Sequence, residues 1–468
     1  MAKSKVYDNI CELIKYLDSI SAERVIDLAE SNGLTIQTIE TDDDATCALV
    51  SEGETYILCI PSNVRHLGNY IYDGDYTSGN RYGYRMTIKP DVLKNLKFTK
   101  HIQNILGDLI VIGGENVYNI DFMFAGCKFN SLDLRLFNTS TAKSMRGMFY
   151  GCNINTIKDL PHLDTSNVIN MEYMFSNSVF NCILDISHFN TKKVHYMDYM
   201  FESCKASIYG ISYLSYKRAY SLTGMFAHTQ IQNFFYGKVD ELPELGMVPR
   251  SMNGMFYNCA ANWIDFTKGY INNNFHMVKM FAHSHIKLVT FTDAKFGVDV
   301  NMRCMFKDSV IDKIDFSGIE VDGYLNAEAM FLSCSAILIN WVNIRNIYFE
   351  NTRVMFANAK VDSHLDLSKF ETSKVKDMSG MFLDCTAKSI DVSELKTQNV
   401  ESMDGMFCGC KAYSLDLSNF NIDNVRGDKL KRMFWNFMGE IETDNPRIRE
   451  VYRSKGLGSF YELDLDVF

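Results

Sequence analysis

At 468 residues the chain exceeds what one ordinary hydrophobic core organises, so its length predicts two or three domains or a repeat array. It is 47% hydrophobic and 22% charged, the composition of a folded, soluble protein, and its net charge of -10 without clustered Lys and Arg excludes a general nucleic-acid binder, whose cations must neutralise phosphates. No run is long and apolar enough for membrane insertion, no secretory or lipidation signal is legible, and 13 cysteines, an odd number, predict free thiols in a reducing setting, cytoplasmic or virion-associated.

In residues 1 to 106, helices are expected at Asp8 to Leu17 and Ala22 to Ser31, the second stopped by Gly33. Strands are expected at Leu34 to Ile39, Thr46 to Val50 and Thr55 to Ile60, the last two joined through Ser51 to Glu54. Together these predict a small α+β domain that also caps the remainder of the chain. Asp42, Asp43 and Asp44 read as a solvated turn. In GNYIYDGDYTSGNRYGYRM, Tyr70, Tyr72, Tyr76, Tyr82 and Tyr84 alternate with glycines. That pattern fits either a partner-binding loop, since Tyr gives large contact area at low entropic cost, or a Tyr-rich hairpin.

Beyond this segment Met-Phe recurs at Met123, Met148, Met174, Met200, Met225, Met255, Met280, Met305, Met330, Met355, Met381, Met406 and Met433, at spacings of 25 to 30 residues. A fixed period of this size is the signature of a solenoid. In Leu365 to Cys385, LDLSKFETSKVKDMSGMFLDC, the alternation around Asp366 predicts a short strand with Leu365 and Leu367 inward. Thr372 and Ser373 are placed to cap a short helix in which Val375, Met378, Met381 and Phe382 share the inward face. Cys385 fills a tight corner, which other coils give to Ser178, Thr229, Ser284, Ser309 or Ala359. Met, Phe and Cys therefore read as packing residues rather than a redox or metal stripe.

The pattern LDLSxFxTSxVxxMxxMFxxC resembles the BspA-like leucine-rich repeat in its Mycoplasma lipoprotein-type form. The match runs roughly from Asp108 to Phe434 and is sharpest at Leu132 to Cys152, Asp159 to Phe175, Leu184 to Cys204 and Leu365 to Cys410. It is weak between Tyr209 and Phe349. The resemblance implies a right-handed leucine-rich-repeat α/β solenoid with a parallel sheet, about 13 coils of about 25 residues, used to bind proteins or surfaces. Three segments are thus expected: an α+β N-terminal domain (1-106), the solenoid (107-437) and a C-terminal cap (438-468).

Within the solenoid, one outward strand column is assigned to Asp108, Asp133, Asp159, Asp185, Asp265, Asp315, Asp366, Asp391 and Asp416. In this column Gly210, Phe235, Thr290 and Asn340 replace Asp. The carboxylates are expected to make local hydrogen bonds, with capture of a basic partner or cations as the alternative. An outward Phe235 beside Tyr236 points to a contact site. The repeat spacing breaks once, at GKVDELPELGMVPRS, which reads as a loop insertion. His283 and His285 lie in a coil corner without a ligand set, and Cys408 with Cys410 lacks the second pair of a zinc site. At the C-terminal end, Pro446 to Ser454 predicts a short basic helix. Leu463, Leu465 and Val467 in SFYELDLDVF predict a strand packed on the final coil.

No catalytic, cofactor or metal motif stands in context, and no cofactor is expected. The expected function is a non-enzymatic protein-protein interaction or assembly module, of the kind a phage or virus also uses, with a protein partner, no nucleic acid and no membrane insertion. Candidate partner-binding residues are Tyr70, Tyr72, Tyr76, Tyr82, Tyr84, Phe235, Tyr236, Asp366, Asp391 and Asp416. Two other classes stay open: a surface adhesin exported by an unrecognised route, and an enzyme with its site in residues 1 to 106.

Overall fold

The computed structural model describes residues 20-41, 45-67, 76-78, 86-88, 92, 94, 96-236, 249-271, 273-344, 347-454 and 465. The chain forms two compact units, Met1–Gln230 and Ile231–Phe468.

In the first unit the expected helix occupies Ala22–Ser31, where Ser21 caps it by accepting the Arg24 N–H at 3.2 Å. Val25 and Ala29 pack on Val50, Ile57, Cys59 and Ile112. The strands Thr35–Glu40, Thr46–Glu52 and Thr55–Ile60 pair antiparallel. Thr55–Ile60 then pairs in parallel with Asp108–Gly113, from Thr55 opposite Asp108 to Ile60 opposite Gly113. One eight-stranded sheet therefore continues from the N-terminal hairpins through Lys128–Phe137, Asn153–Lys158 and Val179–Asp185 to Lys205–Tyr209, without a break at residue 106.

The layer expected to be helical is not. Val375, Met378, Met381, Phe382 and Cys385 are all fully buried, as their spacing predicts. Yet Gly380 (φ 61) and Asp384 (φ 51) lie in the left-handed region, which a right-handed helix cannot contain. Their backbone N–H groups alternate. Those of Met381, Leu383 and Cys385 close local turns onto Met378, Gly380 and Phe382 at 3.0 to 3.2 Å, while those of Gly380, Phe382 and Asp384 reach Asp404, Met406 and Cys408 of the next coil at 2.7 to 2.9 Å. The same two positions, one before Met and two after Phe, are left-handed at Gly147 and Gly151, Gly254 and Asn258, and Gly405 and Gly409. Because every second N–H is released from the local turn, the turns build their own parallel wall. Among the described residues from 107 to 437 there is no α-helix. The coils are parallel β-solenoid with little helix, rather than the α/β coils expected of a leucine-rich repeat.

Between the walls the Phe side chains stack coil on coil. Ring centroids are 5.4 to 5.5 Å apart from Phe124 to Phe226 in the first unit and 5.0 to 5.9 Å apart from Phe256 to Phe434 in the second. At the corner the short polar side chain is a hydrogen-bond donor. Ser284 and Ser309 donate to the carbonyls of Phe281 and Phe306 at 2.6 and 2.7 Å, Ser178 and Thr229 reach those of Phe149 and Phe201, and the Cys152 thiol donates to that of Phe124 at 2.8 Å. Cys127, Cys152, Cys204, Cys259, Cys334, Cys385 and Cys410 are buried free thiols, and desolvation pushes Cys204 and Cys334 up to about 12.

The second unit has a seven-stranded parallel sheet from Asn233–Phe235 to Thr386–Asp391. Its last coils end in Ser414–Asp416 paired with Glu440–Glu442 and in the helix Pro446–Arg453. That helix covers the final coil: Tyr452 packs on Phe434 at 5.6 Å, and Arg447 donates to the carbonyls of Ile422 and Val425. The strand expected to pack there lies largely outside the described residues, and its one described member is placed elsewhere. Leu465 packs on Cys304, Ala329, Leu332, Val354 and Ala357, on the turns of earlier coils.

Candidate functional site

In the longer strands of the second unit's main sheet two apolar side chains face the core, such as Ala261 with Ile264 and Ile311 with Ile314. The side chains between and beyond them form columns on the outer sheet face. One column is Asn233, Trp263, Leu288, Lys313 and Leu338; the next is Phe235, Asp265, Thr290, Asp315 and Asn340. Farther along, His364 pairs with Ser389 and Asp366 with Asp391.

The Asp column serves the backbone. Asp185, Asp265, Asp315, Asp366, Asp391 and Asp416 each accept the N–H of the residue two positions on, at 2.7 to 3.0 Å. Thr290 and Asn340 accept the equivalent N–H at 3.2 Å with their own side-chain oxygens. The position therefore selects a short side chain with an acceptor. Three of the expected column members are out of register. Asp108 pairs with Ser131, two residues short of Asp133, and Lys158 pairs with Asp133 in place of Asp159. Tyr209, not Gly210, stands opposite Asp185. Asp159 (φ 63) and Gly210 (φ 99) instead open one-turn 3-10 segments in left-handed backbone.

Of the candidate contact residues, Phe235 stands on the outer face in edge contact with Trp263, ring centroids 5.0 Å apart. Tyr236 turns the other way and packs on Phe266 at 5.2 Å, so it is not part of that surface. Asp366 and Asp391 are exposed on the same sheet, and Asp416 is exposed on the two-stranded sheet that follows it. Tyr76 belongs to the short strand Tyr76–Ser78, paired antiparallel with Met86–Ile88, as a hairpin requires. Tyr70, Tyr72, Tyr82 and Tyr84 lie outside the described residues, as do Asp42 to Asp44 and the insertion from 237 to 248. Sequence reasoning missed Trp263 (37% exposed), which extends the patch begun by Phe235, and Ile337 (56%) and Leu338 (36%), three strands farther along the sheet. Their signal was available as apolar residues at strand positions that face outward in neighbouring coils.

His283 does have an acidic neighbour: Asp308 of the next coil lies 3.7 Å away, and Tyr257 packs against the ring. Desolvation lowers its pKa, so the ring is a neutral, half-buried corner residue near neutral pH. Among the described residues no group of three or more His, Cys, Asp or Glu is arranged for a metal, and no helix is long and apolar enough to cross a membrane.

A family model described as a Mycoplasma protein of unknown function, DUF285, matches residues 118–236 and 350–445. The two matches include the segments where the repeat is sharpest and leave out residues 237–349, most of the stretch where it is weak. They fit the Mycoplasma-type part of the resemblance and not a leucine-rich repeat specifically. No curated protein and no solved structure matches the chain.

Proposed function

We propose that the chain is a non-enzymatic protein-interaction module and that it binds a protein partner through the outer sheet face of its second unit. One observation carries this reading. The inward Met, Phe and corner positions repeat from coil to coil, whereas the adjacent outer column changes at every coil, from Trp263 to Leu288, Lys313 and Leu338. Packing explains the repeated positions, and the variable ones carry whatever is specific to this protein. Along the seven-stranded sheet Phe235 and Trp263 stand on the first two strands, Ile337 and Leu338 on the fifth, and Asp366 and Asp391 on the last two. An aromatic anchor beside an acidic field suits a partner surface with an apolar knob flanked by Lys or Arg.

The test compares capture of partners from the native source by the unaltered chain and by Trp263→Asp with Leu338→Asp. Loss of a reproducible partner with an unchanged melting curve is expected. Retention of every partner by the double variant would contradict the placement of the site.

A further inference from the structure

The outer side of the Met-Phe turns carries a second surface. In three successive coils of the second unit five of the six residues before Met and after Phe are small or apolar, Cys304, Ala329, Leu332, Val354 and Ala357, and the sixth is Lys307. These five point away from the Phe stack, yet none is more than 1% exposed. Leu465, more than a hundred residues farther along the chain, packs on them. The first unit repeats the arrangement: Val92 and Leu96, which precede its first Met-Phe turn, pack on Phe122, Ala125, Tyr150 and Tyr173 at the same turn positions.

Charge complements shape. Around the second-unit stripe stand Lys279, Arg303, Lys307 and Arg353, against Glu328 and Asp308, an excess of two positive charges with His283 neutral. Glu328 lies 2.9 Å from Arg303 and 3.5 Å from Arg353, and Asp308 lies 3.4 Å from Lys307. In sequence Leu465 is flanked by Glu462, Asp464 and Asp466.

We propose that this stripe is a peptide-docking site whose occupant is the chain's own C-terminal segment, YELDLDVF, anchored by Leu465 and selected by its acidic flanks. Its described residue, Leu465, lies on these turns rather than on the last coil, as the anchor of a strap would. As a short linear element it can be removed and supplied again as a separate peptide.

Cys304 lies beneath the strap and reports on it. The experiment measures alkylation of Cys304, resolved by mass spectrometry, in the full chain and in a chain ending at residue 454, with buried Cys334 as the folding control. Removal of the strap is expected to speed alkylation of Cys304 by on the order of tenfold or more while Cys334 stays protected. A synthetic peptide of residues 455 to 468 should restore protection at low salt and lose effect at high salt, and the same peptide with Leu465→Asp should not protect. If truncation also exposes Cys334, Leu465→Asp in the full chain gives the same comparison with the chain length kept. Equal Cys304 rates with and without Leu465, or no protection by the added peptide, would overturn the proposal.

Discussion

The Asp391 carboxylate accepts both the backbone N–H of Ser393, at 3.0 Å, and its hydroxyl, at 2.7 Å. This local pairing, repeated along the sheet, explains why Asp-x-Ser returns in the coils. Asp391→Asn keeps the acceptor and should leave stability nearly unchanged, and Asp391→Ala should cost about 1 kcal/mol or less. Met381→Asp or Phe382→Asp places a charge in the fully buried stack and should cost several kcal/mol, on the order expected for an unpaired buried charge. Denaturant unfolding separates the two classes, and equal losses would mean the faces are assigned wrongly.

The turn wall makes a prediction opposite in sign to a helix. Gly151 has φ 65, and a Cβ there would meet nothing closer than 3.9 Å, so Gly151→Ala isolates the backbone contribution. A left-handed site should lose about 1 kcal/mol, whereas a helical site would gain nearly as much. Thermal melting of the variant distinguishes them.

In the first unit Asp121, Glu172 and Asp198 stand two residues before the Met of their coils, and their carboxyls give a third prediction. Desolvation raises the pKa of Asp121, Glu172 and Asp198 above the usual carboxylate values. A raised folded pKa means the folded state binds the proton more tightly, so the ionised groups cost stability at neutral pH. This cost is relieved as pH falls through the folded value and is gone below the unfolded one. Asp198→Asn retains an acceptor for the Thr223 N–H, now 2.8 Å from the carboxylate, and removes the charge. The variant should be as stable as or more stable than the unaltered chain at pH 7, with the difference shrinking on acidification. A deficit at pH 7 that grew as pH fell would contradict the assignment.

Thiol counting tests the corner. In denaturant without reductant nearly all of the 13 cysteines should titrate as free thiols, and fewer than about ten would contradict the reducing setting. In the native chain the half-buried Cys182 and Cys408 should react before the buried corner thiols.

Much of the architecture was legible because packing is periodic. Ala22–Ser31 and Thr55–Ile60 fall where their apolar pattern and turn residues predict, and the inward positions of Lys374 to Cys385 are the buried ones. The helix was misjudged because Val375, Met378, Met381 and Phe382 have helical spacing, which a run of turns satisfies equally. The discriminating signal was Gly, Asn, Asp, Ser or His two residues after Phe, at Gly151, Asn177, Ser203, His228 and Asp384, residue types rich in those that accept left-handed backbone. Asp108 and Asp159 were misassigned because offsets of one or two residues do not show in the motif. Leu465 was beyond sequence reasoning, since its contacts come from coils more than a hundred residues away.

The outer sheet face carries the proposed function, and site-specific photo-crosslinking probes it most directly. A photoreactive residue is placed singly at Trp263, Leu338 or, as a control on an exposed loop, Lys376, and the chain is irradiated in the native source. One protein partner crosslinked from positions 263 and 338 and not from 376 is the predicted result. Crosslinks from 376 alone, or a common partner reached equally from all three positions, would contradict it.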